Sequence, residues 1–470
     1  MMVEQPTSAT GTGAYRQDLA RSLTFKENML ITLSSVTPAS SVFIIVPSVI
    51  KGVGGAAAVV FLIAAVVGIL VAFCYAELSS AFPITGGEYA FVARTVGKST
   101  GFALYVLTFV TGILIIGVIS AGTGDYLGAA WPALSGRWIG VVVILVTGAI
   151  AVLGIRTNAI VTGTFLVLEL LALAVLAVLG FANAHQPIAT LWTAQTAAPN
   201  GTLTAAAAGV VVSFTATAIF AYNGYGTAVY YAEETKQASK TIGKTILWSL
   251  AITVAAELIP LIAVLLGTPD TMDLIAADAP MNYFLLARGG SALNIAVSLG
   301  IALAVINAVI AIMLQIGRLL YSAARDRSLP DRVGTPLSRI HPRLRTPLTA
   351  TITVTVIAAL VYWFVPFPVL LLGSGASLVI TYILVGIGAF TGRVRGRTAK
   401  APYRMPLWPV PPLLLLAAMV VVVYENLLTD WVPVAIALGI FAIGYLYYYG
   451  YIHPRRGDRW TLPDPVDEQD

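Results

Sequence analysis

SSVTPASSVF (residues 34–43) sets five hydroxyl side chains and a proline in the middle of an apolar run that opens with ENMLITL and closes with IIVPSVI. The run has the length of one membrane-crossing helix, yet Pro38 lacks an N–H and its ring obstructs the turn before it, so the helix is expected to break there. A break frees backbone amides and carbonyls, and an apolar surrounding gives them no partner.

The surrounding is apolar along most of the chain. Of 470 residues, 58% are hydrophobic and only 10% charged, with a mean hydropathy of +0.87, far outside soluble globular usage. Stretches such as 56–75 and 413–423 carry no charge and have nowhere to face except lipid or one another. The fold class expected is an all-α polytopic membrane protein with no strands. Residues 1–28 are polar and of mixed charge, and read as a retained tail rather than a cleavable leader. Cys74 is the single cysteine, which excludes an internal disulfide and a cysteine metal cluster; within an apolar helix it reads as packing.

Apolar spans set against turn and charge punctuation predict twelve transmembrane helices. They cover 28–50, 56–82, 101–130, 138–153, 158–182, 203–232, 242–267, 292–324, 347–365, 367–391, 408–427 and 430–451. An even count should sort the 27 lysines and arginines between two sides, and all but Lys51, Arg137 and Arg288 fall on the side of the termini. Both termini are therefore expected in the cytoplasm of a multi-pass cell-membrane protein. The basic balance, with a pI near 9.2, is spread over short juxtamembrane loops, where anionic lipid headgroups suffice as partners and nucleic acid does not enter.

The sixth span contains FAYNGYGTAVYYAEETK, in which Gly224 and Gly226 interrupt an apolar run beside Phe220, Tyr222 and Tyr225. If spans 1–5 and 6–10 form two inverted halves, the first and sixth breaks correspond, and paired breaks of this kind point to a binding site near the membrane midplane. A polar solute or ion held between helices would satisfy the freed groups, half-helix N-termini favouring an anion and C-termini a cation. The plain alternative is a proline kink satisfied by neighbouring hydroxyls.

With these features the chain resembles the amino acid, polyamine and organocation transporter superfamily. The resemblance rests on CYAELSSAFPITGGEYAFV (74–92), IFAYNGYGTAVYYAEETKQASKTIGKTI (219–246) and NAVIAIMLQIGRLLYSAARDRSLPDRVGTPLSRIHPRLRTP (307–347), in order and at family-like spacing. It implies a leucine-transporter-like fold of two inverted five-helix repeats with two peripheral helices, alternating access and no covalent chemistry. The domain layout expected is a cytoplasmic tail at 1–27, a first repeat at 28–182, a second at 203–391, peripheral helices at 408–451 and a tail at 452–470. The family's unwound first helix offers a small-residue run before an aliphatic residue and a phenylalanine, and Ala39, Ser40, Ser41, Val42 and Phe43 occupy that place. The resemblance thus implies that amides at 39–41 receive a substrate carboxylate, although two glycines are replaced here and two hydroxyls added. Thr37 stands beside that run. On the sixth span, Phe220, Tyr222, Asn223, Gly224 and Tyr225 match the family's substrate-contacting segment, and Gly226 stands where many relatives carry an acid.

Charges inside spans are costly unless partnered, and each is a functional hypothesis. Glu169, in TFLVLELLALAV, falls where many sodium-independent relatives place a lysine that takes over a cation's role, so the sign is reversed. Glu257, in TVAAELIPL, lies about one turn from Thr253 and Pro260. Each is either a coupling group that loads and releases a proton or a carboxyl bonded to a hydroxyl. Glu77 and Asp125 sit nearer span ends, where loop contacts are expected. Glu88, Glu233, Glu234, Asp326 and Asp331 belong to loops and are expected to pair with nearby bases. The eighth span has Asn307 between Ala304 and Ala308 rather than a serine or threonine pair, which disfavours sodium coupling.

Rival classes find little in the sequence. No Walker motif supports ATP-driven transport, His185, His341 and His453 give no metal spacing, and no cofactor is implied. A channel lacks a polar stripe and an enzyme lacks converging acids or histidines. The function expected is a secondary active transporter, a proton-coupled symporter or exchanger, moving an amino acid across the plasma membrane; the alternative is an organic amine or polyamine cation. The choice turns on the opening stretch: an α-amino acid needs free amides at 39–41, whereas a carboxylate-free amine needs acceptors, Glu169 or Glu257 among them. The oligomeric state is not legible from the sequence.

Overall fold

The computed structural model describes residues 19, 21–130, 136–198, 201–429 and 431–462, without the side chains of 125–130, 368, 371–373 and 429. The expected role of Asp125 and most of both tails lie outside these described residues.

The first helix, Phe25–Val36, starts at a capping box: the Thr24 hydroxyl accepts from the Glu27 amide at 3.4 Å while the Glu27 carboxylate accepts from the Thr24 amide at 2.8 Å. It stops at Thr37, which takes a left-handed conformation with φ +53° immediately before Pro38. The chain then continues as a turn, Pro38–Ser40, a five-residue π-helical stretch, Ser41–Ile45, and a helix, Val46–Val53. The five hydroxyls divide by function at this point. Ser34 bonds the Thr162 carbonyl at 3.1 Å, Ser35 its own helix at Ile31 at 3.2 Å, and Ser41 the Ala221 carbonyl at 2.9 Å. Thr37 and Ser40 are buried with no hydrogen-bond partner for their hydroxyls among the described residues.

The sixth span breaks as well. Ala208–Ala221 is α-helical, Gly224 adopts φ +122°, and Tyr225–Glu234 continues as a 3₁₀ helix. The two broken spans run antiparallel and meet. Leu23, before the first, donates to the carbonyl of Glu234 (2.8 Å), the last residue of the sixth, and accepts from the amide of Lys236 (2.9 Å) just beyond it. Val46–Val53 packs on Ala208–Ala221 at the opposite end. Between them a Cβ on Gly224 would lie 2.8 Å from both the N and Cα of Val36, so only glycine lets the two backbones touch there.

Around this pair stand Ala57–Ala81, Lys98–Ala130, Ile155–Ala182, Ala238–Gly267, Pro280–Arg325 and Phe367–Val394. Val410–Thr429 and Val432–Tyr447 lie outside them, with Leu413, Leu414, Val420, Val421, Leu438, Ile443 and Leu446 exposed, as lipid-facing helices require. Among the described residues nine helices are long and apolar enough to cross a membrane, and Arg137–Ala151 and Leu348–Phe364 are shorter apolar helices at the expected fourth and ninth spans.

Two expectations need correction. Strands do occur: Gln195–Ala197 pairs antiparallel with Leu203–Ala205, so the sixth span begins five residues later than expected. The hairpin closes over the end of the first span, where Thr196 donates to the Lys51 carbonyl at 3.2 Å. Its Gln-Thr-Ala and Leu-Thr-Ala segments are too polar for lipid and satisfy their backbone by pairing with each other. The loop acids also divide. Glu233 pairs with Arg325 at 2.9 Å, Asp326 with Arg325 at 3.3 Å, Asp331 with Arg459 at 2.7 Å, and Glu234 forms a fully buried pair with Arg318. Among the described residues Glu88 meets no base and instead accepts from Tyr75 at 2.9 Å and from Tyr230. Glu77 is buried and held by Arg393 at 3.0 Å, by Thr398 at 2.9 Å and by the Met405 amide at 2.8 Å.

The three bases expected on the side opposite the termini have structural uses. Arg288 donates to the Gly267 carbonyl at 2.8 Å and Arg137 to the Tyr362 carbonyl at 3.0 Å, each at or near a helix C-terminus whose carbonyls and dipole favour a cation. Lys51 donates to the Asp278 carbonyl at 2.7 Å.

Candidate substrate and coupling site

The Pro38–Ser40 turn packs against the Ile155–Ala182, Ala238–Gly267 and Pro280–Arg325 helices. Each sends one polar side chain toward it, and these are Glu169, Glu257 and Asn307.

Glu169 answers the break directly. Its Oε1 accepts a hydrogen bond from the Ala39 amide at 2.8 Å, across 130 residues of sequence. This amide is the one released by the proline, because Pro38 begins a new turn and leaves Ala39 without an intrahelical acceptor. Glu169 Oε2 has no hydrogen bond, and neither has Thr37 Oγ1 nor either amide atom of Asn307, although both side chains lie close enough to act on the Glu169 carboxyl.

Glu257 is fully buried and neither of its oxygens is hydrogen-bonded. Ser41, Glu169 and Tyr222 lie within its electrostatic reach. Ser41 spends its hydroxyl hydrogen on the Ala221 carbonyl, which ties the two breaks together. The Tyr222 hydroxyl is buried and unpartnered, and its ring meets Phe61 edge to face at 5.4 Å between centroids. Neither Glu169 nor Glu257 forms an ion pair with a lysine, arginine or histidine among the described residues. Two carboxyls, three hydroxyls and a carboxamide therefore converge around the breaks with unused hydrogen-bonding capacity.

The remaining expected contacts divide. Asn223 Oδ1 accepts from Tyr382 at 2.9 Å, and Tyr225 is buried with its hydroxyl 3.5 Å from the Gly68 carbonyl. Both side chains therefore have protein partners. Ser40 is buried and unpartnered, Phe43 is buried, Phe220 is half-buried, and Gly224 provides the backbone contact to Val36. Phe61 and Tyr382 complete the aromatic surround, and nothing in an apolar run singles out either one. The Glu169–Ala39 bond was equally hidden, since it depends on how the fifth span docks on the first.

Comparison with known proteins follows the same line. The chain is 23% identical to the methylthioribose transporter of Bacillus subtilis over 95% of its own length and 97% of the relative's. It is 23% identical to a branched-chain amino acid permease of the same organism (83% of this chain, 84% of that one) and 24% identical to its serine/threonine exchanger (80% and 84%). The amino acid permease family model matches residues 23–451, from the residue that pairs with Glu234 to the end of the last membrane helix, and the chain belongs to that family of multi-pass membrane transporters.

Proposed function

We propose that the chain is a secondary active transporter of the cell membrane, proton-coupled and working by alternating access, with its solute held between the first and sixth breaks. On this reading residues 28–182 and 203–391 are the two inverted repeats, 408–451 the peripheral helices, and both termini are cytoplasmic. One observation carries it: among the described residues Thr37, Ser40, Glu169, Tyr222, Glu257 and Asn307 hold unpartnered polar atoms at or beside the point where the first and sixth spans are both broken. Each unsatisfied buried polar atom costs about 1–3 kcal/mol, so a fold that gathers several of them is stabilised when a polar solute or a proton arrives.

Glu169 is the proton carrier in this scheme. It is a carboxyl at a helical break, one oxygen fixed on a backbone amide and the other free, so protonation alters a contact that holds the first span in shape. The solute is an amino acid or a related amine. The relatives are named for methylthioribose, branched-chain amino acids and serine or threonine, so family membership supports transport and leaves the solute to the site itself.

The test is uptake by proteoliposomes holding the purified protein. We expect saturable uptake that rises above equilibrium under an imposed proton gradient and does not respond to a sodium gradient alone. Uptake that never exceeds equilibrium under either gradient contradicts secondary active transport, and concentration driven by sodium alone contradicts the proton assignment.

A further inference from the structure

We propose that Glu257 anchors a protonated amine, that Glu169 keeps a carboxylate out of the same site, and that the solute carried is therefore an organic amine without an α-carboxylate. Granting the transport function proposed above, the geometry around the breaks decides between the two solute classes.

An α-amino acid needs free backbone donors for its carboxylate. At the first break the Ala39 amide is taken by Glu169 Oε1 at 2.8 Å and the Ser41 amide bonds back to the Thr37 carbonyl at 3.1 Å, so of the three amides at 39–41 two are already engaged and only that of Ser40 is left to a carboxylate. A substrate carboxylate placed there has to displace a buried carboxyl that already occupies its position, and then lie beside it.

A cation meets the opposite situation. Glu257 offers two unpartnered oxygens, with Glu169 Oε2, Thr37 Oγ1, Ser40 Oγ, the Tyr222 hydroxyl and Asn307 Oδ1 as further buried acceptors around the turn. An ammonium group has three donors and no acceptor, which matches a set of carboxylate and hydroxyl oxygens. The helix ends at the breaks carry both signs: Phe25–Val36 and Ala208–Ala221 end at the Gly224–Val36 contact with C-terminal dipoles that favour a positive charge, while Pro38–Ser40 and Tyr225–Glu234 begin there, so the choice of sign rests on the acids. Tyr222 and Phe61, ring edge to ring face, supply an apolar and π-rich wall for the alkyl part of an amine.

The two acids thus have separate roles. Glu169 is a specificity residue through its hold on Ala39, and Glu257 is the ligand-binding acid. The sequence offers either acid as an acceptor for an amine and does not divide the roles, since both are lone carboxyls in apolar helices.

Matched pairs that differ only by the carboxylate provide the test: isoamylamine against leucine, and putrescine against ornithine, with sodium chloride as the inorganic cation. On the purified full-length protein, ligand-induced melting shifts and dissociation constants are measured for wild type, Glu257→Gln and Glu169→Ala. We expect at least one amine to bind more tightly than its amino acid by about tenfold or more, and Glu257→Gln to weaken that amine by at least about tenfold. Glu169→Ala, which frees the Ala39 amide, should move the preference toward the amino acid. An amino acid that binds wild type as tightly as its decarboxylated partner overturns the proposal, as does an amine affinity unchanged in Glu257→Gln or the lack of any shift with every amine. A Glu257-dependent shift with sodium alone, and none with amines, overturns it in favour of an inorganic cation. If either variant fails to fold, the wild-type comparison of amine with amino acid decides. Gradient-driven uptake of an amino acid in preference to its amine removes the solute assignment and leaves the transport function standing, whereas failure of every solute to accumulate removes the transport function itself.

Discussion

Gly224 shows how narrow the tolerance is at the centre of this protein. Its φ of +122° is one that side chains rarely adopt, and a Cβ there would sit 2.8 Å from backbone atoms of Val36 and 3.0 Å from the carbonyl carbon of Ser35. Neither neighbour is the flexible end of a side chain, so relief requires the two broken spans to move apart. We therefore expect Gly224→Ala to lower stability by about 1–3 kcal/mol, read as a fall in melting temperature of the detergent-solubilised protein, and to weaken solute binding at the same time. An unchanged melting temperature would mean that the breaks do not bear on each other as described. At this scale the sequence was informative wherever a residue type has a backbone consequence: Pro38 and Gly224 declared the breaks because one lacks a donor and the other lacks a Cβ. It was silent wherever a side chain acts across the fold. The partnership of Glu169 with Ala39 spans 130 residues, and no local pattern encodes which oxygen meets which amide.

At the scale of elements, the 3₁₀ stretch Tyr225–Glu234 and the end of Pro280–Arg325 are locked together at the end of the molecule that carries Leu23. Glu234 and Arg318 are each about 1% exposed, and the Arg318 guanidinium also lies over the Tyr231 ring, 5.3 Å from its centroid. A buried pair of this kind adds little net stability over an apolar replacement, but breaking it leaves an uncompensated charge. Arg318→Met should accordingly destabilise by about 3–5 kcal/mol, while the double variant Arg318→Met with Glu234→Leu should recover much of that loss; both are read from melting curves. Equal losses in the single and double variants would show that the pair is not the source of the cost. Elements followed the sequence where one face or one period dominates, as in the long apolar helices. The hairpin at 195–205 departed from it, although the Asn200-Gly201 dipeptide between its segments is a known hairpin signal, because alternation over three residues is too short to stand out beside long spans. Glu88 departed because a carboxyl beside two tyrosines is indistinguishable in sequence from one beside a base.

For the whole molecule, the contacts at the Leu23 end are drawn from distant parts of the chain. Thr85 is held by Glu233 and Ser322, Tyr89 lies within hydrogen-bond distance of Ser322 and Asp326, and Trp460 packs between Tyr89 and Phe102 with its indole N–H on the Lys98 carbonyl at 3.1 Å. That end is held together by these contacts between distant segments, and on the proposed mechanism they have to part if solute is to leave the polar centre on that side. Composition and the lysine and arginine distribution were enough to read a polytopic membrane protein, because lipid constrains every exposed residue alike. On the proposed function, coupling depends instead on one carboxyl, Glu169. The most direct measurement is therefore solute-dependent proton movement, followed with a pH-sensitive dye trapped in proteoliposomes, for wild type and Glu169→Gln. We predict that solute addition changes the internal pH of wild-type vesicles, and that Glu169→Gln abolishes this change while slowed solute exchange continues. A pH change of wild-type size in Glu169→Gln would contradict the assignment of Glu169 as the proton carrier.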